Sequence, residues 1–404
     1  MPSSARIGIL DALRGFALFG ILLVNLPCFF STVYVEPELI SGLEVFAAGF
    51  VAFAGQVKFF VLFSFLFGYG LAIQMQRARH RGDALGPRYK RRLLGIFVLG
   101  VIHAVFLFTG DILTLYAILG LGLWMVRGWS SQALVKLTAA FLLIAVGAYA
   151  LLGVLSAMEM GTAPEIIHAA EQAYLGSFWA NAQQRVTDLW TVYPFLLLYN
   201  GPIAFAMFAL GLAAGKIRFF SRMDAMWPHL RRGLPYALVI GLIGNSLYAT
   251  AVVWPSEPGS SDLSLAVIVM GMTALTAPAF SYVYVVGLIA AARSGRMQRW
   301  MGYLQSAGRM SLTNYMGESV LAGFLAYGWG LGLFGQVSLW QCLLLTPVLF
   351  GLLVLFSTLW MRRFRFGPAE WLLRCWTYLR WKSFRKRPSP RGTVIRTAAR
   401  RNST

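Results

Sequence analysis

Long apolar runs alternate along the chain with short charged or Pro/Gly-rich breaks, and the runs set the fold class. Apolar blocks near or above roughly 18 residues read as membrane-spanning helices, because a hydrocarbon core of about 30 Å needs that many residues. Ten such helices are expected, near 14–34, 56–76, 92–108, 111–127, 132–155, 191–214, 234–254, 263–292, 311–333 and 338–361. The apolar stretch Leu39–Val57 is expected to be re-entrant or interfacial rather than an eleventh span. No loop is long enough for a soluble catalytic domain; the longest, residues 156–190, can form helices lying over one mouth of the bundle. The expected architecture is all-α: a polytopic membrane helical bundle over 1–361, then a basic interfacial segment and tail over 362–404.

Charge adds an orientation. Residues 77–92 carry seven Lys/Arg against Asp83. Residues 216–232 carry Lys216, Arg218, Arg222, Arg231 and Arg232 against Asp224, and residues 293–309 carry Arg293, Arg296, Arg299 and Arg309. The tail from Arg362 holds thirteen Lys/Arg and one acid, Glu370, which is twelve of the chain's twenty net positive charges. All four segments fall on one side of the expected bundle. The other side has Glu36, Glu38, Glu159, Glu165, Glu171 and Asp188 against Arg185, then Glu257 and Asp262. The positive-inside rule then puts both termini in the cytoplasm. Composition agrees with a membrane protein: 58% hydrophobic and 12% charged, where charge in soluble domains is about 25%. A basic tail after a span is a contact for anionic lipid. With no folded basic domain, and a tail that reads as disordered, nucleic-acid binding is not expected. The three cysteines Cys28, Cys342 and Cys375 show no CxxC or Cys/His spacing, so no metal site is expected.

Ionisable groups at membrane depth are costly and are functional candidates by default. The hairpin Gly100–Gly120, GVIHAVFLFTGDILTLYAILG, carries His103 inside one apolar run and Asp111 at the mouth of the next. His80, His168 and His229 lie in polar connections. His103 is thus a natural general base at neutral pH, which a nearby carboxylate would orient. On helical geometry His103 lies roughly 9 Å below the turn, so a direct bond needs Asp111 to dip inward. The competing reading is a helix-bonding histidine beside an Asp that caps the next helix.

Other polar groups carry paired readings. Asp11, Arg14 and Asn25 mark the first helix, with Arg14 and Asn25 on one face roughly 16 Å apart. Either Asp11 and Arg14 pair at the interface while Asn25 bonds a neighbouring helix, or the face lines a substrate path. Lys58 is a further substrate-binding candidate that can equally snorkel to the outer interface, and Gly68 and Gly70 allow close helix contact. Asn314 and Glu318, four apart, share a face of their helix. Glu318 is expected to pair with a cation on another helix, such as Arg14, rather than with Arg309; that contact is structural or substrate-binding. The segment WMRRFRFGPAEWLLR reads as interfacial, with Trp371 at headgroup level and Arg374 facing the cytosol.

LDALRGFALFGILLVN (10–25), KFFVLFSFLFGYGLA (58–72), the His103/GDIL hairpin, SAGRMSLTNY (306–315) and FGPAEWLLR (366–374) are together similar to the YeiB-type membrane proteins. These carry the domain of unknown function 418 in their C-terminal half. The resemblance covers nearly the whole chain; Glu318 departs from it, standing where the family's motif has an amide. The family is grouped by fold resemblance with transmembrane acyltransferases, which pass an acyl group from cytoplasmic acyl-CoA to an acceptor across the membrane. The resemblance therefore implies a bacterial inner-membrane acyltransferase with acyl-CoA as donor substrate, no bound cofactor, and an envelope glycan or lipid-linked acceptor. His103 would be the base and Asp111 its orienting group. Arg14 and Arg309 would hold the donor's phosphates or carbonyl, and Asn25 and Asn314 would be polar lining. The acyltransferase-3 motif looks like an arginine, ten residues, then a histidine; Arg14 and Asn25 occupy those positions, so that histidine is not carried over and His103 alone remains to serve. Two alternatives stand: a small-molecule transporter using Arg14, Glu318 and His103, against which the lack of a visible internal repeat counts, and a non-enzymatic partner protein docking through its tail.

Overall fold

A computed structural model describes residues 3–35, 39–156, 162–254 and 262–386. Glu36, Glu38, Glu159, Glu257 and the tail beyond residue 386 lie outside the described residues. The described chain is helical, and the extended backbone amounts to one isolated bridge between Phe364 and Arg385.

Helix α1 (Ser3–Asn25) ends ahead of a 3₁₀ turn at Pro27–Phe29, well short of the expected residue 34. Proline lacks the amide that would continue the ladder. Helix α2 (Gly42–Phe50) starts on an N-cap, Ser41, whose hydroxyl accepts the Glu44 amide. It runs through a π-turn (Val51–Gly55) into α3 (Lys58–Arg81). The stretch expected to be re-entrant thus forms one apolar run with α3 over Gly42–Arg81, broken only at Val57, whose φ of 69° is strained for a β-branched residue. The hairpin follows as α4 (Leu85–Phe106) and α5 (Leu113–Met125), then α6 (Ser131–Ser156).

The long connection holds α7 (Pro164–Leu175) and α8 (Phe178–Phe195). A second π-turn, Leu196–Asn200, joins α8 to α9 (Gly201–Lys216). After α10 (Met223–Val253) and α11 (Asp262–Ser294) come α12 (Gln298–Arg309), α13 (Ser311–Ala326), α14 (Leu339–Arg363) and α15 (Pro368–Tyr378). Helix α13 stops before the expected residue 333 because the chain folds back on it. The amides of Leu331 and Phe334 bond the carbonyls of Phe324 and Ala326, with Gly332 and Gly335 at positive φ.

Seven helical runs among the described residues are long and apolar enough to cross a membrane. Of the other expected spans, α4 begins with Arg88, Lys90, Arg91 and Arg92, α5 is 13 residues and α13 is 16.

Two crossings fix the bundle through glycines, whose missing Cβ lets backbones touch. A Cβ at Gly68 would fall 2.0 Å from the Phe208 carbonyl oxygen, and one at Gly211 would fall 2.0 Å from that of Phe65, locking α3 to α9. Gly15 and Gly308 do the same for α1 and α12. Gly70 has open space around it and makes no such contact. Helix α15 also holds α13: both carboxylate oxygens of Glu370 are engaged, accepting the Leu312 and Thr313 amides and the Thr313 hydroxyl. A carboxylate from one helix thus caps the first turn of another.

Candidate functional site

Helix α4 ends at Phe106, and the His103 carbonyl accepts the amides of Leu107 and Phe108 beyond it. The chain then returns to open α5 at Leu113. Asp111 dips inward at that point and does two things at once. Its Oδ2 accepts the Thr114 amide at 2.8 Å and the Thr114 hydroxyl at 2.9 Å, capping α5. Its Oδ1 lies 2.9 Å from Nδ1 of His103. Asp111 therefore both caps α5 and bonds His103. Gly100, one turn before His103, makes the approach feasible: a Cβ there would sit 2.6 Å from the Thr114 nitrogen and 2.8 Å from Asp111 Oδ2.

The other ring nitrogen of His103 reaches a third helix. Nε2 lies 2.9 Å from Oγ of Ser319 on α13. His103 and Asp111 are fully buried and Ser319 is 4% exposed. A carboxylate on Nδ1 favours the proton there and leaves the Nε2 lone pair facing the serine hydroxyl. This is the Asp–His–Ser order of hydrolytic and acyl-transfer triads. Tyr315 packs its ring against the imidazole, centroids 4.7 Å apart, and its hydroxyl accepts the Ile112 amide. Because Thr114 donates to Asp111, Tyr193 donates to Thr114 at 2.6 Å.

A second buried polar group stands beside the first. Arg185 of α8 donates from Nη1 to the Phe106 carbonyl at 3.3 Å, one helical turn past His103. Its guanidinium lies 4.5 Å from the ring centre of Tyr327 and 5.7 Å from that of Tyr174. Asp188 on the same helix is bonded by Tyr34, Tyr174 and Gln184. Arg185 and Asp188 are both fully buried. Arg185 Nε and Nη2, Asn181 Oδ1 and Trp329 Nε1 have no hydrogen-bond partner among the described residues. Phe178, which opens α8, packs on the Trp329 ring, and Arg185 of the same helix lies over Tyr327, two residues before Trp329. Buried polar groups are ordinarily satisfied, and a buried guanidinium with two nitrogens left without acceptors is a costly exception.

The remaining candidates lie elsewhere. Arg14 pairs with Asp11 at 2.9 Å, not with Glu318. Glu318 is 4% exposed, makes no ion pair among the described residues, and its Oε1 has no partner there. Lys58 does not snorkel: it is fully buried and its Nζ donates at 2.6 Å to the Ala52 carbonyl inside the first π-turn, which continues the helical run above it. Asn314 ties α12, α13 and α14 through Ala307 and Ser357. Asn25 is half-buried, its side chain without a hydrogen bond among the described residues, and Arg309 is exposed. The structure thus joins His103 and Asp111 with Ser319, which has no signal of its own in the sequence.

Residues 214–380 match the family model described as a protein of unknown function, DUF418. The chain is 32% identical to the uncharacterised protein YxaH of Bacillus subtilis (strain 168), with 95% of this chain and 97% of that one covered. The chain belongs to the YeiB-type, DUF418-bearing family. It is also 28% identical to the uncharacterised protein YeiB of Escherichia coli (strain K12), over 90% and 94% of the two chains. An uncharacterised 39.9 kDa protein in the amylase 3' region of Bacillus acidopullulyticus is 28% identical over 93% and 94%. Within this DUF418 protein the matched segment supplies Ser319, while His103 and Asp111 come from the half before it.

Proposed function

We propose that the chain is a bacterial inner-membrane acyltransferase that moves an acyl group from cytoplasmic acyl-CoA to a hydroxyl of an envelope glycan or lipid-linked acceptor. The observation that carries the reading is the buried hydrogen-bonded order Asp111, His103, Ser319. In this reading both termini are cytoplasmic, and α4, α5 and α13 complete ten spans.

His103 Nε2 takes the Ser319 proton as Oγ attacks the donor's thioester carbonyl. An oxyester forms, and the departing thiolate recovers the proton from His103. The acceptor hydroxyl then gives its proton to His103 and attacks the ester, and Ser319 regains its own. Asp111 holds the ring and stabilises the imidazolium of each step. A positioned base of this kind is worth about 10²–10⁴-fold. Burial protects the ester from hydrolysis, and Arg185 offers its two unpartnered nitrogens to an anionic part of the acceptor. Arg14, engaged by Asp11, is less suited to hold donor phosphates than its place in the motif implies.

The test incubates detergent-purified protein with radiolabelled acetyl-CoA. Wild type is expected to release CoA and to carry a hydroxylamine-labile label that Ser319→Ala and His103→Ala lack. CoA release that survives in Ser319→Ala would refute the covalent step, and no release by any protein would refute acyl transfer.

A second reading, proton-coupled transport, draws support from Glu318, a buried carboxylate with one oxygen unpartnered among the described residues. Flux into proteoliposomes without an acyl donor, abolished in Glu318→Gln, would establish it.

A further inference from the structure

Arg91, in the second turn of α4, lies about 18 Å along the helix from His103, and α15 packs across it. Arg91 Nε donates to the Thr377 carbonyl, and Trp376 Nε1 donates to the Arg91 carbonyl. Between α15, the end of α3 and the segment after α14 is a cavity of 250 Å³. Four cations line it: Arg81, Arg365, Arg374 and Lys382, together with the hydroxyl-bearing Tyr378 and Ser383.

These charges are held in place and outnumber the acids around them. Arg374 lies over the Phe366 ring at 4.4 Å, and Lys382 over the Tyr378 ring at 4.6 Å. The Lys382 carbonyl accepts the Trp371 indole N–H at 2.8 Å. The segment is pinned further by the Arg365 amide on the Phe384 carbonyl and the Lys386 amide on the Arg363 carbonyl. None of the four cations forms an ion pair among the described residues. The acids nearby are fewer than the cations: Glu370, which accepts from Leu312 and Thr313, also acts on Arg374, while Asp83 pairs with Arg88 at 2.6 Å and Asp11 with Arg14. Four cations converging on one cavity repel one another unless an anion sits among them. Guanidinium forks match phosphate oxygens in pairs, so a multiply charged phosphate fits the group better than a single carboxylate does.

We propose that this cavity binds a phosphate monoester or diphosphate group, carried by either a soluble phosphate ester or an anionic lipid headgroup. The proposal does not depend on acyl transfer. Arg81, Arg365 and Arg374 grip the phosphate oxygens, and Lys382 supplies a point charge at the rim.

The test uses the full-length protein. Calorimetric titration in detergent with inorganic pyrophosphate reports a soluble source. Binding of the protein, reconstituted in phosphatidylcholine nanodiscs, to added phosphatidic acid reports a lipid source. Either probe is expected to bind, to weaken steeply between 0.1 and 0.5 M salt as ion-pair contacts are screened, and to lose at least tenfold affinity in Arg374→Ala and in the Arg81→Ala/Lys382→Ala double variant. Arg374→Lys, which keeps the charge but not the fork, is expected to lose less than Arg374→Ala and guards against a folding artefact. Arg231→Ala/Arg232→Ala, basic and outside the cavity, is expected to bind as wild type. Pyrophosphate binding with these losses assigns the soluble source, and phosphatidic acid binding alone with these losses assigns the headgroup. Binding of neither probe, or binding that the cavity variants leave unchanged, overturns the proposal.

Discussion

Gly100→Ala tests whether Asp111 must reach His103. A Cβ at Gly100 would stand 2.6 Å from the Thr114 nitrogen, and 2.8 Å from both Asp111 Oδ2 and Thr114 Cγ2. Ordinary carbon contacts lie at about 3.5–4.0 Å, so the start of α5 must retreat by roughly 1 Å. The first atom met is backbone, which cannot rotate aside. The 2.9 Å bond between Asp111 and His103 would open to a separation that no longer counts as a hydrogen bond. Overpacking costs about 1–3 kcal/mol, while replacing a helical glycine by alanine returns about 1 kcal/mol. The net loss of stability is therefore small, up to about 2 kcal/mol. The loss of function is the larger effect, since a misplacement of about 1 Å is worth roughly 10²-fold in rate. The assay is CoA release from acetyl-CoA beside a thermal melt in detergent, with Gly70→Ala as the control because a Cβ there meets open space. Gly100→Ala protein with wild-type release and wild-type melting would refute the claim that this close approach sets the site.

Asn314→Ala is expected to destabilise by about 1–3 kcal/mol, because the Ala307 carbonyl and the Ser357 hydroxyl lose a buried partner; a melt unchanged within error would contradict it. Glu370→Ala is expected to cost about 1–2 kcal/mol by uncapping α13 from outside, seen as faster hydrogen exchange at Leu312 and Thr313. Arg185→Gln is expected to raise the acceptor KM at least tenfold with kcat little changed, once an acceptor is known; an unchanged KM would make Arg185 a packing residue. Tyr34, in the loop after α1, is pushed up to about 12 by burial and by its bond to Asp188. Its folded value lies above its unfolded value near 10, so its contribution to stability is complete below pH 10 and is lost as pH rises through 12. The tyrosinate absorbance difference between wild type and Tyr34→Phe should rise near pH 12; a rise near 10 would contradict the burial.

His103 and Asp111 were legible in the sequence because ionisable groups stand out in apolar runs. Their contact was not, since ideal helix geometry carries α4 past Phe106 and keeps the two apart. Ser319 left no trace, as a serine inside a membrane helix is cheap and common. Arg185 and Asp188 read as loop charges because their segment is polar enough to pass for a connection; only the packing of α8 against Tyr174 and Tyr327 buries them. Lys58 was misplaced for a related reason. Snorkelling assumes that a helix begins at the surface, whereas the π-turn carries the chain further and supplies the carbonyl that Lys58 needs. Glu318 has no counter-ion among the described residues because Arg14 is satisfied three residues away by Asp11.

The chain's own division bears on how such a protein can arise. Ser319 lies inside the segment 214–380 that the DUF418 model matches, and its partners His103 and Asp111 lie in the other half. Neither half alone holds the Asp111–His103–Ser319 order, so neither inherits the chemistry proposed for it if the gene is cut between them. The same feature makes the protein a candidate for split-gene complementation. Two fragments, divided between α9 and α10 at Arg218, which is exposed while Phe220 beside it is buried, would regain the hydrogen-bonded order only by assembling in the same membrane.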